Sequence, residues 1–509
     1  MRLGDIMRSS ALLSPSKIQI PPVWADIRVS AIAADSRAVR PGTLFVAIPG
    51  AIPGAIPGAS QDGRAFIGQA VAAGAVAVLA PAGTVWPDGV PVRPLIEAPE
   101  PRRALAHAAA ALAGRQPRQI AAVTGTNGKT SSVEFLRQIW THAGHRAASL
   151  GTLGLNAPGF PPGAGLTTPD PVSLANTLAA LAAAGIEHAA IEASSHGLDQ
   201  FRLDGVSLAA GAFTNLTRDH LDYHGTEAAY RAAKLRLFSD LLAAGAPVVA
   251  NADMDAETLG QLRRIATDRQ LDLHTVGESG TAIRLLRAIP RPDGQILEIE
   301  AHGTRHEIAL LLPGRFQADN VLIAAGLALA LGETTAIGHL EKLVGVRGRM
   351  ELAARLPNGA AVYVDYAHTP DALERLLLAL RPHTPGRLHL VFGAGGDRDR
   401  GKRPLMGAIA ARLADATIVT DDNPRSEDPA AIRAAILAAC PNAVEIHDRE
   451  AAIAAALAGL RPGDVLAVAG KGHEQGQTVG ATVHPFDDAG VIRRLAGVSL
   501  ADLLSAGSP

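Results

Sequence analysis

The chain contains a single cysteine, Cys440, among 509 residues. One thiol excludes both an internal disulfide framework and a zinc site built from several cysteines. Aromatic residues make up only 3% of the sequence, whereas 48% is hydrophobic. Alanine, leucine, valine and isoleucine must therefore fill cores that are large enough for several folded domains.

Neither sign of charge dominates, because 47 Lys and Arg residues face 49 Asp and Glu residues. This balance argues against binding to nucleic acid or to a membrane surface through bulk positive charge. The most apolar run, residues 321–332, is much shorter than the roughly 20 residues that span a bilayer. The first residues lack the apolar stretch of a signal peptide. We therefore expect a cytoplasmic protein that binds neither nucleic acid nor membrane.

Short β-branched runs alternate with long Ala- and Leu-rich stretches, which is typical of α/β folds with parallel sheets. Two successive series of this kind predict two doubly wound domains. The predicted strands are 120–123, 189–192, 212–214 and 247–250, then 362–365, 388–392, 416–420 and 465–469. The predicted helices include 104–113, 171–184 and 226–243. We expect three domains, at 1–115, 116–346 and 347–509.

Residues 47–58 consist of the tetrapeptide Ala-Ile-Pro-Gly written three times. Three copies are too short for a solenoid, and each copy carries a Pro-Gly turn signal. We interpret the repeat as a lengthened loop, although a specific binding function stays open.

The sharpest motif is Gly125-Thr126-Asn127-Gly128-Lys129-Thr130, placed between a predicted strand and a helix that starts near Ser131. Glycines let backbone N–H groups converge on phosphate oxygens, and the helix N-terminus favours negative charge. Lys129 would bridge the β- and γ-phosphates, and the Thr130 hydroxyl would bind Mg²⁺. Val123 stands where the general pattern has its first glycine, and a chance turn is the alternative. The motif predicts a nucleotide-binding loop.

Two further positions follow strands of the same predicted sheet. Glu192 closes an apolar strand and is well placed to bind a metal, although a solvated strand-end glutamate is the alternative. His220 lies in Thr-Arg-Asp-His-Leu-Asp-Tyr-His after the next strand, where a satisfied loop histidine is equally reasonable.

Lys234 lies on the helix face that carries Tyr230 and Phe238, at positions i, i+4 and i+8. An inward lysine must be neutral, paired or modified, because burying an ammonium group is costly. The alternative is a lysine whose stem covers apolar surface while its ammonium group reaches water.

Three polar clusters follow strands in the C-terminal third of the chain: residues 395–404, 420–425 and 470–474. Composition alone would make each of them a solvated loop. Doubly wound sheets, however, bind ligands at this edge. Together the clusters predict a site for a polar, doubly charged ligand.

Taken in order, these motifs resemble those of the Mur ligases, ATP-dependent amide-bond ligases of peptidoglycan precursor synthesis. The resemblance runs from Asp35-Ser36-Arg37 to Glu474. It implies a smaller N-terminal α/β domain for the UDP-substrate, a central P-loop domain for ATP and a Rossmann-like C-terminal domain for the amino acid. In this family ATP converts a substrate carboxylate into an acyl phosphate, which an amine then attacks.

The resemblance also implies a role for individual residues. It implies one or two Mg²⁺ ions, with Thr130, Glu192, His220 and Lys234 as ligands, the last after capture of CO₂ as a carbamate. It implies that Lys129, Lys234, His220 and Glu192 are catalytic. The residues that it places on ATP are Gly125, Thr126, Asn127, Gly128, Lys129, Thr130 and Ser131 at the phosphates, with Asn320 and Asp365 at the adenosine.

The UDP-substrate is UDP-N-acetylmuramoyl-L-alanyl-D-glutamate by the same resemblance. Its implied contacts are Ser36, Thr167, Thr168, Ser194, Gln200 and Arg202. The 47–58 repeat interrupts this pattern and puts contacts at Ala59, Ser60 and Gln61 in question. We expect the extra residues to leave UDP binding intact.

The implied amino acid is meso-diaminopimelate, because the form Asp422-Asn423-Pro424-Arg425 accompanies that substrate. Its distal carboxylate suits a bidentate arginine, and L-lysine has no such group. The implied contacts are Arg398, Asp422, Asn423, Pro424, Arg425, Gly470 and Glu474. We expect a monomer.

Two alternatives compete with this interpretation. Another ATP-dependent amino-acid ligase, lysine-adding or of the folylpolyglutamate synthase type, would not explain 422–425 together with the Asp35-Ser36-Arg37 segment. A P-loop switch or motor ATPase would leave Lys234, His220 and the C-terminal arginines without a role.

Overall fold

The computed structural model describes residues 1–10, 21–49, 62–161 and 167–498. The Ala59, Ser60 and Gln61 positions, and most of the 47–58 repeat, lie outside these residues. The chain divides into two compact units, residues 1–274 with 326–333 and residues 275–325 with 334–509. The chain passes from the first unit to the second within the strand Asp272–Gly277. It returns to the first unit within the helix Arg315–Ala330.

The strands are, in chain order, β1 Ala31–Ala33, β2 Thr43–Val46, β3 Ala75–Pro81, β4 Leu95–Ala98, β5 Gln119–Thr124, β6 Ala147–Gly151, β7 Gly154–Asn156, β8 His188–Glu192, β9 Ala210–Phe213, β10 Pro247–Asn251, β11 Asp272–Gly277, β12 Ile283–Arg291, β13 Gly294–Ala301, β14 Thr304–Leu310, β15 Glu351–Arg355, β16 Ala361–Asp365, β17 Leu388–Phe392, β18 Ala416–Val419, β19 Val444–Glu445, β20 Val465–Ala469, β21 Gly476–Val479 and β22 Thr482–Pro485.

The α-helices are α1 Leu3–Ser10, α2 Pro22–Ala25, α3 Ile67–Ala72, α4 Pro101–Ala113, α5 Lys129–His142, α6 Pro171–Ala183, α7 Ser195–Asp199, α8 Leu221–His224, α9 Glu227–Arg236, α10 Ala256–Asp268, α11 Arg315–Ala330, α12 Pro370–Leu380, α13 Lys402–Leu413, α14 Pro429–Leu437, α15 Arg449–Ala458 and α16 Asp488–Ala496. Short 3₁₀ helices cover Ser36–Ala38, Gly63–Phe66, Ala336–Lys342 and Arg381–His383, and a π-helical turn covers Leu237–Leu241.

The first unit contains two sheets. Strands β1 to β4 form a parallel four-stranded sheet in chain order. The second sheet has the order β10-β9-β5-β8-β6-β7, and every pair in it is parallel except β6 with β7. Its central strand, β5, ends at the nucleotide-binding loop, so the loop lies at the carboxyl edge where parallel sheets bind ligands.

The second unit is built on a six-stranded sheet of order β15-β16-β20-β17-β18-β19. Only β15 pairs antiparallel in this sheet. An antiparallel ribbon of β12, β13 and β14 and the hairpin of β21 and β22 complete the unit. The three polar clusters of the C-terminal third follow β17, β18 and β20, which brings their loops to one edge of the sheet.

Proline contributes to this fold by starting helices. Four helices begin with a proline at the first position after a capping side chain. Proline suits this position because its missing N–H would have no helical partner there. These capping pairs are Glu100-Pro101, Asp170-Pro171, Thr369-Pro370 and Asp428-Pro429.

The structure confirms the predicted α/β fold and the eight predicted strands, with ends that differ by at most two residues. One helix prediction was wrong at its end, and another differs by two residues at its start. The helix predicted over 226–243 ends at Arg236 and continues as the π-helical turn. The helix predicted to start near Ser131 begins at Lys129. The domain limits at 115 and 346 stay predictions.

No helix within the described ranges has both the length and the apolarity needed to cross a membrane.

The second unit contains a fully buried ion pair between Arg449, at the start of α15, and Asp488, at the start of α16. Both oxygens of Asp488 accept from the guanidinium at 2.7 Å, and neither side chain is exposed. Arg449 also donates to the carbonyl of Ala469 at the end of β20. Removing one partner of such a pair leaves a buried charge uncompensated.

We expect Arg449→Leu to lower the free energy of unfolding by about 3–5 kcal/mol, because Asp488 then stays buried and unpaired. A guanidinium titration followed by circular dichroism measures this change. The control is Arg494→Ala, which removes the exposed pair with Glu450 and should cost less than about 1 kcal/mol. Equal losses in the two variants would contradict the prediction.

Candidate functional site

The nucleotide-binding loop is fastened to the segment that follows β9. Gly125 has φ +139°, and a Cβ there would lie 1.9 Å from Thr214 Oγ1, so only glycine fits. The N–H of Thr126 donates to the Asn215 carbonyl at 2.8 Å. The N–H of Asn127 donates to Asn215 Oδ1 at 3.0 Å. These hydrogen bonds fix the loop at the carboxyl edge of the sheet.

The start of α5 carries the loop's cation and hydroxyls. Gly128 precedes the helix with φ +87°, and Ser131 is buried in its first turn. Lys129 Nζ folds back to donate to the carbonyls of Gly125 and Thr126, at 2.9 and 2.8 Å. Burial lowers the pKa of Lys129, while the charges of Glu192 and Asp219 oppose that shift.

Glu192 is buried at the end of β8, with 2% of its surface exposed, so the solvated alternative was wrong. The N–H of Thr152 donates to Oε1 at 2.8 Å, and the Thr152 hydroxyl donates to Oε2 at 3.2 Å. Burial raises the pKa of Glu192, whereas Lys129 and hydrogen bonds from Thr152 and Thr130 lower it. A carboxylate held this way is fixed beside Lys129.

Lys234 points inward, as its helix spacing predicted. Only 1% of it is exposed, and Tyr230 and Phe238 on the same face are buried with it. Its Nζ donates to the Gly125 carbonyl at 2.6 Å and lies 4.5 Å from the Tyr230 ring centroid. Burial first, and then the charge of Lys129, lowers the pKa of Lys234 well below its usual range. The structure therefore contradicts the alternative of a lysine that reaches water.

His220 occupies an exposed position in the loop after β9. Its φ is +50°, and its Nε2 lies 3.5 Å from Asp219 Oδ2 with 48% of the side chain exposed. Its ring contacts His196, with centroids 4.9 Å apart. The exposure of this imidazole agrees both with a metal-binding histidine and with a loop histidine.

These residues fit a magnesium ion that is bound together with phosphate. Glu192 and Thr130 provide hard oxygen donors, which Mg²⁺ prefers. In the described part of the chain, no three His, Cys, Asp or Glu side chains are grouped to hold a metal on their own. Magnesium usually keeps several waters and takes other ligands from substrate phosphates, so a sparse protein donor set suits it.

Five of the six residues expected to contact the UDP-substrate lie in one hydrogen-bonded network around Glu192. The Thr168 hydroxyl donates to the Glu192 carbonyl at 2.8 Å and lies 3.0 Å from Ser194 Oγ. Arg202 donates to the Thr168 carbonyl and to Gln200 Oε1, both at 2.7 Å.

The fifth member, Thr167, joins the network through Thr152, since their hydroxyls lie 3.0 Å apart. The sixth expected residue, Ser36, is not part of it. Ser36 lies in the 3₁₀ helix after β1, where its hydroxyl donates to Gln69.

In the second unit, the loop from Asp422 to Arg425 meets two other strand-end loops. Asn423 donates to Glu474 Oε2 at 2.8 Å, and Arg425 donates to the Gly396 carbonyl at 2.8 Å. A Cβ on Gly470 would lie 2.9 Å from Asp422 Oδ2, so Gly470 allows the close approach.

Arg398 and Arg425 flank Gly395 in the same loop cluster. A Cβ on Gly395 would lie 3.0 Å from Arg425 Nη1 and 3.9 Å from Arg398 Cγ. Pro424 is buried and turns the chain toward Gly396. Both arginine side chains therefore lie in the cluster of strand-end loops that also carries Asp422 and Glu474, so the cluster presents charged groups of both signs.

The two residues expected at the adenosine lie at separate places in the second unit. Asp365, at the end of β16, accepts from the N–H groups of Met350 and Ala367 at 2.8 Å. Burial raises the pKa of Asp365, and these hydrogen bonds oppose the shift. Asn320, on α11, is buried and donates to Gln317.

Two residues of these clusters were not singled out from the sequence. Thr152 supports Glu192, and nothing in its sequence surroundings distinguishes it from other loop threonines. Lys471 is fully buried under Asn423, to which it donates at 2.9 Å. The sequence signal for Lys471 was that lysine is rare in this chain. Only six of the 47 basic residues are lysines, and two of those, Lys129 and Lys234, already stood out.

Comparison with known proteins places the chain among ligases. The sequence matches the Mur ligase middle domain over residues 123–328 and the Mur ligase glutamate ligase domain over 348–472. The UDP-N-acetylmuramoyl-L-alanyl-D-glutamate–2,6-diaminopimelate ligase of Caulobacter vibrioides is 55% identical, over 94% of this chain and 97% of that protein. The ligase of the same name from Rhizobium meliloti is 52% identical, over 93% and 95%.

A solved structure of a ligase with that name has a TM-score of 0.73 and 32% identity, and it covers 98% of this chain and 99% of its own. The MurF ligase of Thermotoga maritima, solved with ADP, shares the fold at a TM-score of 0.56 and 18% identity, over 95% of this chain and 99% of its own.

The chain belongs to the Mur ligase family. It is therefore an ATP-dependent ligase that forms an amide bond, and its family uses ATP with Mg²⁺.

The position of Glu192 depends on Gly151, because a Cβ on Gly151 would lie 2.0 Å from Glu192 Oε1. We expect Gly151→Ala to displace the carboxylate and to lower kcat by about 10²-fold, as for loss of one positioned electrostatic group. Phosphate release at saturating substrates measures this. Gly260→Ala, on α10 with open space around its Cβ, should keep full activity. Unchanged kcat in Gly151→Ala would contradict the role of Glu192.

Proposed function

We propose that this chain joins meso-2,6-diaminopimelate to UDP-N-acetylmuramoyl-L-alanyl-D-glutamate, with ATP as co-substrate, in peptidoglycan precursor synthesis. The observation that carries the proposal is the approach of Arg398 and Arg425 to Gly395, in the cluster of strand-end loops where Asn423 donates to Glu474. The names of the relatives from Caulobacter vibrioides and Rhizobium meliloti agree with it.

The reaction begins with phosphoryl transfer at the loop of the first unit. The start of α5 and the N–H groups of Gly125 and Gly128 face the phosphates, and Lys129 turns from its own loop carbonyls to the β- and γ-phosphates. Thr126 and Asn127 hold the loop in place through their bonds to Asn215. Thr130 and Glu192 would hold a magnesium ion, which neutralises phosphate charge when it is bound. Ser131 supports the first turn of α5, and Asn320 and Asp365 contact the adenosine.

The terminal carboxylate of the UDP-substrate attacks the γ-phosphorus, and ADP leaves. Ser194, Gln200 and Arg202 orient this substrate together with Thr167 and Thr168, because their network surrounds Glu192. Ser36 contacts the uridine end. Positioning and charge neutralisation provide most of the catalysis in such a transfer.

The second step forms the amide bond. The amine of diaminopimelate attacks the acyl carbon and loses a proton, and the C–O bond to phosphate then breaks, so that phosphate leaves with the electron pair. Arg425 and Arg398 bind the distal carboxylate, while Asp422 and Glu474 face the distal ammonium group. Asn423, Pro424 and Gly470 shape the loop around them.

Lys234 acts as a carbamate in this proposal. Its Nζ is buried and burial lowers its pKa, which favours the neutral amine, the form that can add to CO₂. The carbamate would provide an anionic oxygen for a second magnesium ion, and His220 would be a further ligand. The chain would work as a cytoplasmic monomer whose three domains end near residues 115 and 346.

We expect Arg425→Ala to lower kcat/KM for meso-diaminopimelate by about 10²-fold, corresponding to about 3 kcal/mol for a lost buried charge pair. The weak activity with L-lysine should change much less, because lysine has no distal carboxylate. Phosphate release with ATP, Mg²⁺ and the UDP-dipeptide, with each amino acid in turn, measures both values.

The matched control is Arg412→Ala, an arginine on α13 that is 60% exposed and paired with Glu374. It should leave both activities unchanged. If wild-type enzyme used lysine and diaminopimelate equally, the selectivity argument would fail and the ligase reaction would stand. Phosphate release that needs no amino acid would favour a P-loop ATPase of another kind.

Carbamylation predicts a labelled carbon on one side chain. In ¹³C-bicarbonate buffer near pH 8, the protein should show a carbamate resonance. The Lys234→Arg variant should lose this resonance, and its kcat should fall by at least about 10²-fold. Lowering the pH through the pKa of Lys234 protonates the amine, so the resonance should weaken as the pH falls. The exposed-lysine variant Lys342→Met is the control and should retain the signal. A resonance that survives in Lys234→Arg would disprove the assignment.

A further inference from the structure

Lys471 lies fully buried beneath the loop of Asp422 to Arg425. Its Nζ donates to Asn423 Oδ1 at 2.9 Å and to the Gly476 carbonyl at 2.8 Å. The same atom lies 3.5 Å from Asp422 Oδ1 and 3.8 Å from Glu474 Oε2. A buried ammonium group is tolerated only when paired and hydrogen-bonded, and here both conditions are met.

The contact with Lys471 determines which way the Asn423 amide faces. Asn423 Oδ1 accepts from Lys471 and from the N–H of Thr478, at 2.9 Å each. Since the oxygen is used twice, the amide nitrogen is directed at Glu474 Oε2. Lys471 thereby sets the position of Glu474 both through its charge and through Asn423.

The β21–β22 hairpin, which Lys471 contacts at Gly476, also fixes Arg425. The N–H of Arg425 donates to the Thr478 carbonyl at 3.1 Å, and the N–H of Gly480 donates to the Arg425 carbonyl at 2.7 Å. These bonds hold Arg425 at φ +51°, a conformation that non-glycine residues rarely adopt. Gln477, in the same hairpin, donates to the Asp422 carbonyl at 2.7 Å.

We infer that Lys471 is a positioning residue for amino-acid selectivity, acting with the β21–β22 hairpin on Arg425, Asp422 and Glu474 without touching the substrate. The Lys471 ammonium group donates both to the Asn423 amide and to the hairpin backbone at Gly476, and these two contacts connect it to Glu474 and to Arg425. This inference rests on the proposed function, since it assigns the loop to the amino acid.

The test compares Lys471→Met with wild type by steady-state phosphate release, with KM measured separately for each substrate. We expect KM for meso-diaminopimelate to rise about tenfold or more, and the preference over L-lysine to fall by a similar factor. The KM values for ATP and for the UDP-dipeptide should stay within about twofold of wild type. The control is Lys342→Met, because Lys342 is exposed.

A second variant keeps the inference testable if Lys471→Met does not fold. Gln477→Leu removes one hairpin contact from a partly exposed side chain and should shift KM for diaminopimelate and the preference in the same direction, by about threefold.

The outcomes separate the two claims. If wild-type enzyme shows no release that depends on diaminopimelate, the proposed function fails. If wild-type enzyme shows this release and the variants have the same selectivity, the inference about Lys471 is overturned and the function stands. The same holds if all three KM values rise together and the melting temperature falls.

Discussion

The hydrogen bond from Lys234 to the Gly125 carbonyl is the contact around which the nucleotide-binding loop is arranged. At 2.6 Å it joins α9 to the first residue of the loop, and Gly125 is held in place from its other side by Thr214 and Asn215. Lys129 donates to the same carbonyl. Two lysine side chains therefore converge on one oxygen, and the charge of Lys129 makes the charged form of Lys234 less favourable. In the proposed reaction, phosphate would draw Lys129 away from this carbonyl, and a carbamate on Lys234 would remove its positive charge.

A buried lysine below a loop also occurs in the second unit. Lys471 is buried below a strand-end loop, as Lys234 is, and it also donates to groups of that loop. The difference lies in the compensation. Asp422 and Glu474 surround Lys471, so their charges oppose the effect of burial, which lowers its pKa. Lys234 has a second lysine as its strongest charged neighbour and only Asp219 to oppose it. Burial therefore lowers the pKa of both lysines, but carboxylates oppose that shift more strongly at Lys471 than at Lys234.

The sequence predicted the fold because the pattern is local: apolar runs of strand length alternate with helical stretches, and the loops with chemistry follow the strands directly. It predicted Lys234 for the same reason, since helix spacing alone places a residue on a face. It could not show that Glu192 is buried, because that burial comes from Thr152 and Gly151 on another strand connection. The support of Asn423 by Lys471 likewise joins segments almost fifty residues apart. The end of α9 was missed because a change from α- to π-helical hydrogen bonding leaves no mark in a run of apolar residues.

In the proposed function, amino-acid selectivity depends on backbone geometry as much as on charge. Arg425 would be one of several arginines on a polar surface if its backbone were free. The bonds to Thr478 and Gly480 hold it in a left-handed conformation, and the close approach of Gly395 and Gly396 leaves room for its guanidinium. A rigid arginine loses little freedom when it binds a carboxylate, so more of the interaction energy remains to distinguish a ligand that has the group from one that lacks it. In the proposed function, the glycines and the hairpin therefore contribute to the recognition of the amino acid, because they fix the position of the Arg425 backbone.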